Sequence, residues 1–291
     1  MKRTGFSLVE LVVVIFIAAV LLGLLIPAVR SAQLKGEDRQ TVNNLKQVVL
    51  AMHGHQDAYK YLPPAFDKYQ TPNIAKAGKG LKHPVSVHVY LLPFIEEAKL
   101  FRTFIGEEKG DEKAKVAVYI SRIDPSAVKK DTAGIQNLAA NLRVFADSGV
   151  NTKFNENMPA LKAIEPGSAR LPQTFRDGTS NTIVFATKYG YCGEDGGSRY
   201  AAAANTKYAA FMGQNAATKQ ADPADAKATF QLNPDAKQCL NTPLMAQSFN
   251  KQALLIGLAD GSVRTVTPKL SAETWNSAVQ PNDGNLLGPD W

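Results

Sequence analysis

Met1-Lys2-Arg3-Thr4-Gly5-Phe6-Ser7-Leu8-Val9-Glu10, followed by residues 11–29 without a single charge, is the stretch whose reading decides the fold. Nineteen helical residues reach about 28 Å, the thickness of a bilayer's hydrocarbon core. The rest of the 291-residue chain is far more polar, so the mean hydropathy of −0.17 averages two unlike objects. With 45 % hydrophobic and 20 % charged residues over its whole length, the chain can build a packed core, which excludes wholesale disorder.

Three readings of the start compete. A secretory signal carries a shorter apolar region and a small-x-small cleavage site, whereas this run ends in Ile26-Pro27-Ala28-Val29-Arg30. A plain anchor explains the length, with Lys2 and Arg3 holding the N-terminus in the cytoplasm, but leaves Glu10 unexplained. A carboxylate near the lip of an apolar helix costs about 2 to 3 kcal/mol and calls for a partner. Cleavage between Gly5 and Phe6 would create one, an α-amino group that the Glu10 of a neighbouring copy can neutralise. Gly5 suits such a site because no side chain obstructs a protease at the membrane surface.

Residues 2–10 thereby resemble the processing motif of type IV pilins and type II secretion pseudopilins. Pro27, the twenty-second residue from Phe6, stands where those stems often kink. The resemblance implies cleavage and N-methylation by a prepilin peptidase, and losing Lys2 and Arg3 lowers the formal net charge from +7 to +5. It further implies a structural subunit of a pilus or pseudopilus that assembles with copies of itself or other pilins on an inner-membrane machinery. The chain would span the inner membrane once, N-terminus in the cytoplasm, with the head in the periplasm or on an extracellular filament. A membrane-tethered binding module that never polymerises is the alternative.

Past the membrane, Val42, Leu45, Val49 and Met52 recur at helical spacing, so one stem helix is expected from about Ser7 to Ala58, stopped by Tyr61-Leu62-Pro63-Pro64. The expected fold is α+β and pilin-like, a long N-terminal helix packed on an antiparallel sheet. The expected divisions are a leader at 1–5, a membrane and filament-core helix at 6–29, its soluble half at 30–58 and a head at 59–291, with an Ala-rich surface insertion at 201–228. Strands are expected at 85–92, 116–120, 142–146, 182–187, 253–258 and 263–266, a short helix from Pro93 to Phe101, and a last one capped by Ser271. The final strand pair flanks Ala259-Asp260-Gly261-Ser262, a hairpin turn because Asp-Gly tolerates positive φ.

Asn43-Asn44-Leu45-Lys46-Gln47, Val89-Tyr90-Leu91-Leu92-Pro93-Phe94, Asp177-Gly178-Thr179-Ser180-Asn181-Thr182 and Ala259-Asp260-Gly261-Ser262 resemble in order the boxes of prepilin-type proteins whose head is a domain of unknown function 1559. Members often carry a His-x9-Asp-Gly element, and Asn250 stands at that His. Many also carry a Cys matching Thr41 and another in the region 121–126, and both are missing here.

Cys192 and Cys239 are the only cysteines. Outside the cytoplasm a bond closing that loop would stabilise by about 3 to 4 kcal/mol, yet spacing alone leaves paired and free thiols open. His53 is expected to pack or hydrogen-bond where the helix meets the head. Asp177, Asp195, Asp260 and Asp283 each precede Gly, which is turn chemistry first. By resemblance to major pseudopilins calcium is the candidate cofactor, with Glu194 and Asp195 in the first candidate loop. No nucleophile elbow, zinc-protease helix, P-loop or dinucleotide fingerprint occurs, so an enzyme is not expected. Lys68, Lys76, Lys79 and Lys82 in one loop raise nucleic acid or acidic polysaccharide as partners, against the ordinary reading of a solvated face.

Overall fold

A computed structural model describes residues 8–67, 85–105, 110–127, 133–145, 169–193, 196–201, 211–212, 229–241 and 245–291. The stem is one helix, α1 (Leu8–Tyr59), within a residue of its expected ends. Past it Lys60 turns to a φ of 68°, and the two prolines that follow deny the helix further donors. The chain divides into two compact units, 1–40 and 41–291, so the end of α1 belongs with the second. Among the described residues no helix is long and apolar enough to cross a membrane. The side chains of residues 18–37 lie outside that description, and the uncharged run at 11–29 is a property of the sequence.

In the second unit the chain runs through β1 (Phe66–Asp67), β2 (Val85–Ser86), α2 (Val87–Leu91), a 3-10 turn at Leu92–Ile95 and α3 (Ala98–Thr103). A 3-10 turn at Ala117–Tyr119 leads to β3 (Leu138–Asn141), α4 (Leu142–Phe145), β4 (Ile183–Thr187), β5 (Tyr191–Cys192), β6 (Gly196–Gly197) and β7 (Phe211–Met212). It closes with β8 (Gln231–Leu232), α5 (Ala236–Asn241), β9 (Gln247–Ser248), β10 (Leu254–Leu258), β11 (Val263–Val266) and α6 (Ala272–Val279). The central sheet has the order β11-β10-β4-β3-β7, antiparallel except for the β3–β7 edge. The architecture is therefore mixed helix and antiparallel sheet with an N-terminal helix.

Both faces of the sheet are covered, so β4 and β10 read as unbroken apolar runs rather than alternating ones. Val184, Phe185 and Leu255 pack with Leu45, Val48, Val49 and Met52 of α1. Ile183, Ala186, Leu254, Ile256 and Leu258 pack with Trp275, Ala278 and Val279 of α6 on the other side. Gly257 lies on the α1 side, where an added Cβ would come within 2.9 Å of Val49 Cγ2 and 3.2 Å of Leu45 Cγ. The Asp260-Gly261 hairpin forms as expected, with Gly261 at φ 92°. Ser271 accepts a hydrogen bond from Thr274 N and caps α6, which runs past its expected end at Trp275 to Val279.

Three expected strands are corrected. Residues 85–92 form only the two-residue β2 before turning helical, and all of Val87–Leu91 is buried. Burial on every side lets a β-branched run be helical, because alternation no longer separates a wet face from a dry one. Residues 117–119 are a 3-10 turn. The strand expected at 142–146 lies four residues earlier, at Leu138–Asn141. The helix expected from Pro93 is two pieces, parted at Glu96 with φ 68°. Most of the 201–228 stretch lies outside the described residues, but Phe211–Met212 within it is the edge strand β7, and Met212 is core.

Candidate functional site

The first candidate site is the N-terminal end of α1. Gly5 and Phe6 lie outside the described residues, and Glu10 falls within α1 with its side chain outside the description. What is described is a run of large apolar side chains in the open: Leu8, Leu11, Val12, Ile15, Phe16 and Ile17 are each between 51 and 78 % exposed. Single exposed apolar residues are ordinary, but a contiguous patch marks a surface that another apolar phase covers.

The second unit holds the boxes that the sequence singles out, and each is consumed by backbone. His53 Nε2 lies 2.8 Å from Ala259 O, joining α1 to the closing hairpin as expected. Asp260 N donates to Thr179 O and Ala259 N to Thr182 O, which ties that hairpin to the 177–182 box. The Asp177 carboxylate accepts from the backbone N–H of Asp283 and Gly284 at 2.8 and 3.0 Å. Gly178 turns at φ 104°, and its carbonyl accepts from the Thr182 hydroxyl. Asn250 uses Oδ1 to accept from Gln252 N and Ala253 N, closing an Asx turn ahead of β10. Thr41 and Ser121, buried, face each other with hydroxyl oxygens 2.7 Å apart. Asn44 Nδ2 alongside them donates to Ala117 O and Ile120 O.

A family model described as a protein of unknown function (DUF1559) matches residues 39–273. The chain belongs to the DUF1559 family. A second model, the prokaryotic N-terminal methylation motif, matches residues 1–26, so this DUF1559 chain carries a prepilin-type start that suggests a membrane-anchored N-terminus and processing by prepilin peptidase. No curated protein and no solved structure matches the chain. In this DUF1559 head Asp177, Asp260 and Asn250 each brace backbone in their own or a neighbouring loop. The Thr41–Ser121 contact joins the two stretches, at 41 and 121–126, in which the resemblance expects cysteines that this chain lacks.

Glu194 and Asp195, the calcium candidates, lie outside the described residues. Among the described residues no group of three or more His, Cys, Asp or Glu could hold a metal ion. Cys192 and Cys239 form a disulfide with Cα atoms 5.3 Å apart, which pins β5 to α5.

Sequence reasoning missed the buried titratable groups. His88 is fully buried, with Nε2 2.9 Å from both Leu138 O and Gln136 Nε2, and burial pushes its imidazole down to about 3. His55 sits among Tyr59, Tyr61, Tyr90 and Phe94 and is pushed down to about 4 by burial, only partly offset by its bond to Tyr61 O. Burial likewise lowers Lys188 to about 7. The Asp124 carboxyl is raised by burial and pulled back by hydrogen bonds from Ser126, Gly190 and Asn137. The i, i+4 pair His55 and Tyr59 carried a signal for the aromatic cluster, whereas the surroundings of Asp124 come from distant stretches and carried none.

Beside Asp124 lies an open cleft of about 430 Å³, lined by Pro125, Ser126, Tyr189, Tyr191, Asn233 and Pro234. Its volume falls in the range of pockets that hold small molecules or short segments.

Proposed function

We propose that the chain is a non-catalytic structural subunit of a type IV pilus or a type II secretion-like pseudopilus, with a pilin-like fold. The observation that carries the reading is the row of exposed apolar side chains from Leu8 to Ile17, within the stretch at residues 1–26 that matches the methylation motif. Lipid covers such a row before assembly, and the same row on neighbouring copies covers it afterwards. In this reading the peptidase cuts between Gly5 and Phe6, residues 6–29 hold the chain in the inner membrane, and Glu10 sets register by neutralising the new amine of a neighbour. The head then faces an oxidising compartment, which suits the Cys192–Cys239 disulfide.

Two measurements test it. Intact mass of the membrane form should give a product beginning at Phe6 and carrying one added methyl group, and a product beginning at Met1 removes the prepilin reading. Glu10→Ala should leave the protein cleaved and in the membrane yet absent from sheared filaments. A processed chain that stays in the membrane and is absent from sheared filaments even with Glu10 intact would favour the second reading, a membrane-tethered extracytoplasmic binding module that never polymerises. The open cleft beside Asp124 is the observation on that side.

A further inference from the structure

Cys192 and Cys239 are bonded to each other, but their surroundings are unequal. Cys239 is fully buried and packs with Tyr189 and Phe249, whereas Cys192, at the end of β5, is partly exposed. In thiol–disulfide exchange a thiolate attacks one sulfur and the other sulfur leaves, so the rate depends on access to the first and on how well the second carries negative charge. Access favours attack at Cys192. Burial by itself would make Cys239 a poor leaving group, because apolar surroundings disfavour a thiolate. Gln247 changes that. This residue of β9 is fully buried, and its Nε2 donates to Cys239 Sγ at 3.1 Å and to Gln231 Oε1 at 2.8 Å. At the other end of the same amide, Oε1 accepts from Tyr189 N at 3.1 Å. A backbone N–H can only donate, so the Tyr189 contact fixes which way the amide points and holds its N–H groups toward the sulfur.

A neutral disulfide sulfur is a weak acceptor, and a thiolate is a strong one. A donor held on Cys239 Sγ therefore does little for the intact bond and much for the cleaved one, as any fixed donor does where charge develops. We propose that the Cys192–Cys239 disulfide is a redox site that small-molecule thiols open from one side in the folded protein: the incoming thiolate attacks Cys192 Sγ, and Cys239 leaves as a thiolate held by Gln247. The new sulfur–sulfur bond joins the small thiol to Cys192. The Cys192–Cys239 bond breaks, its electron pair goes to Cys239 Sγ, and that sulfur takes up a proton from water. A second small thiol then attacks the mixed disulfide at the small molecule's own sulfur and releases Cys192, so two thiols are oxidised for each protein disulfide reduced. The structural consequence is local. The bond fastens β5 to α5, and Tyr191 of the one and Ala236 of the other both line the open cleft, so reduction uncouples two of its walls.

Glutathione is the probe, used on the full chain in detergent micelles. In the first experiment the disulfide is reduced with glutathione, and the freed thiols are alkylated and counted by mass. Gln247→Leu should slow this reduction about tenfold or more, the worth of one hydrogen bond to a charged group. The sign is the discriminating readout: a variant that merely loosens the fold exposes the bond and is reduced faster. Reduction of Gln247→Leu at the parent's rate or above it overturns the proposal. The second experiment takes the cysteines singly, Cys192 in a Cys239→Ser chain and Cys239 in a Cys192→Ser chain, and follows the uptake of one glutathione from its oxidised form. Cys192 should react about tenfold faster or more in the folded chain, as an accessible thiol does against a buried one, and the two rates should converge in urea. Equal rates in the folded chains, or a faster Cys239, overturn the proposal. Where Gln247→Leu shows no thermal transition, the single-cysteine rates decide.

Discussion

At Gly257 the helix and the sheet meet closely enough that a methyl group has no room: Val49 Cγ2 would stand 2.9 Å and Leu45 Cγ 3.2 Å from it. Gly257→Val should therefore cost about 1 to 3 kcal/mol by overpacking, read as a lowered thermal midpoint, with Gly257→Ala less severe. A midpoint unchanged in Gly257→Val would mean that α1 does not lie on the sheet as described. His88 and His55 set a second expectation at this scale. Both have folded pKa values pushed below the ordinary 6.5, to about 3 and about 4, because burial favours the neutral imidazole. Below pH 6.5 the unfolded chain binds protons that the folded one refuses, so their contribution is complete above that pH and is lost as pH falls toward the folded values. The slope is about 1.4 kcal/mol per pH unit for each imidazole. Asp124, raised by burial, works in the opposite sense and softens the acid side of that window. Urea midpoints at pH 7.5 and 5 should show the acid loss, and His88→Gln should flatten it; a loss of the same size in His88→Gln would show that this ring does not set it.

The elements differ in how plainly the sequence announces them, and the reason is burial. The α1 helix beyond residue 40 is amphipathic, so Leu45, Val49 and Met52 stand out against Lys46 and Gln47 and its limits could be read to within a residue. β10 and β11 were legible through the Asp260-Gly261 turn between them. Residues 87–91 are buried all round, so no period survives to separate helix from strand. β3 is Leu-Ala-Ala-Asn, weak in β propensity, and is held in the sheet by its neighbours β4 and β7, with Asn141 Nδ2 donating to Ile183 O and Val279 O. The cleft was illegible because its lining comes from three separated stretches, near 125, 190 and 234. The Thr41–Ser121 staple was half legible: Thr41 and the region 121–126 were noticed as places of missing cysteines, while the choice of Ser121 and the 2.7 Å contact needed the fold. It links α1 to the loop after residue 119 across 80 positions of chain. Thr41→Cys with Ser121→Cys should form a disulfide on air oxidation, seen as loss of two titratable thiols. By loop entropy it should add up to about 4 kcal/mol to stability. Thiols that stay free under oxidation would show that the two side chains do not face each other.

Over the whole molecule, a mean hydropathy near zero conceals a division of labour between the two units at 1–40 and 41–291. The second has its own sheet, a helical layer on each face and a disulfide, so its core is closed within itself. The first contributes exposed apolar side chains and no described core residue. A chain beginning at residue 30 should then stay in solution without detergent and melt cooperatively within a few degrees of the full chain in micelles, since about 1 kcal/mol would already move a domain of this size by about 2 to 4 °C. Sedimentation velocity should show it monomeric, because the exposed apolar row from Leu8 to Ile17 is gone. Two results would contradict this: a shortened chain that aggregates or melts without a transition would make the stem part of the head's own fold. A shortened chain that still polymerises would place the assembly contacts on the head and leave the row from Leu8 to Ile17 to the membrane alone.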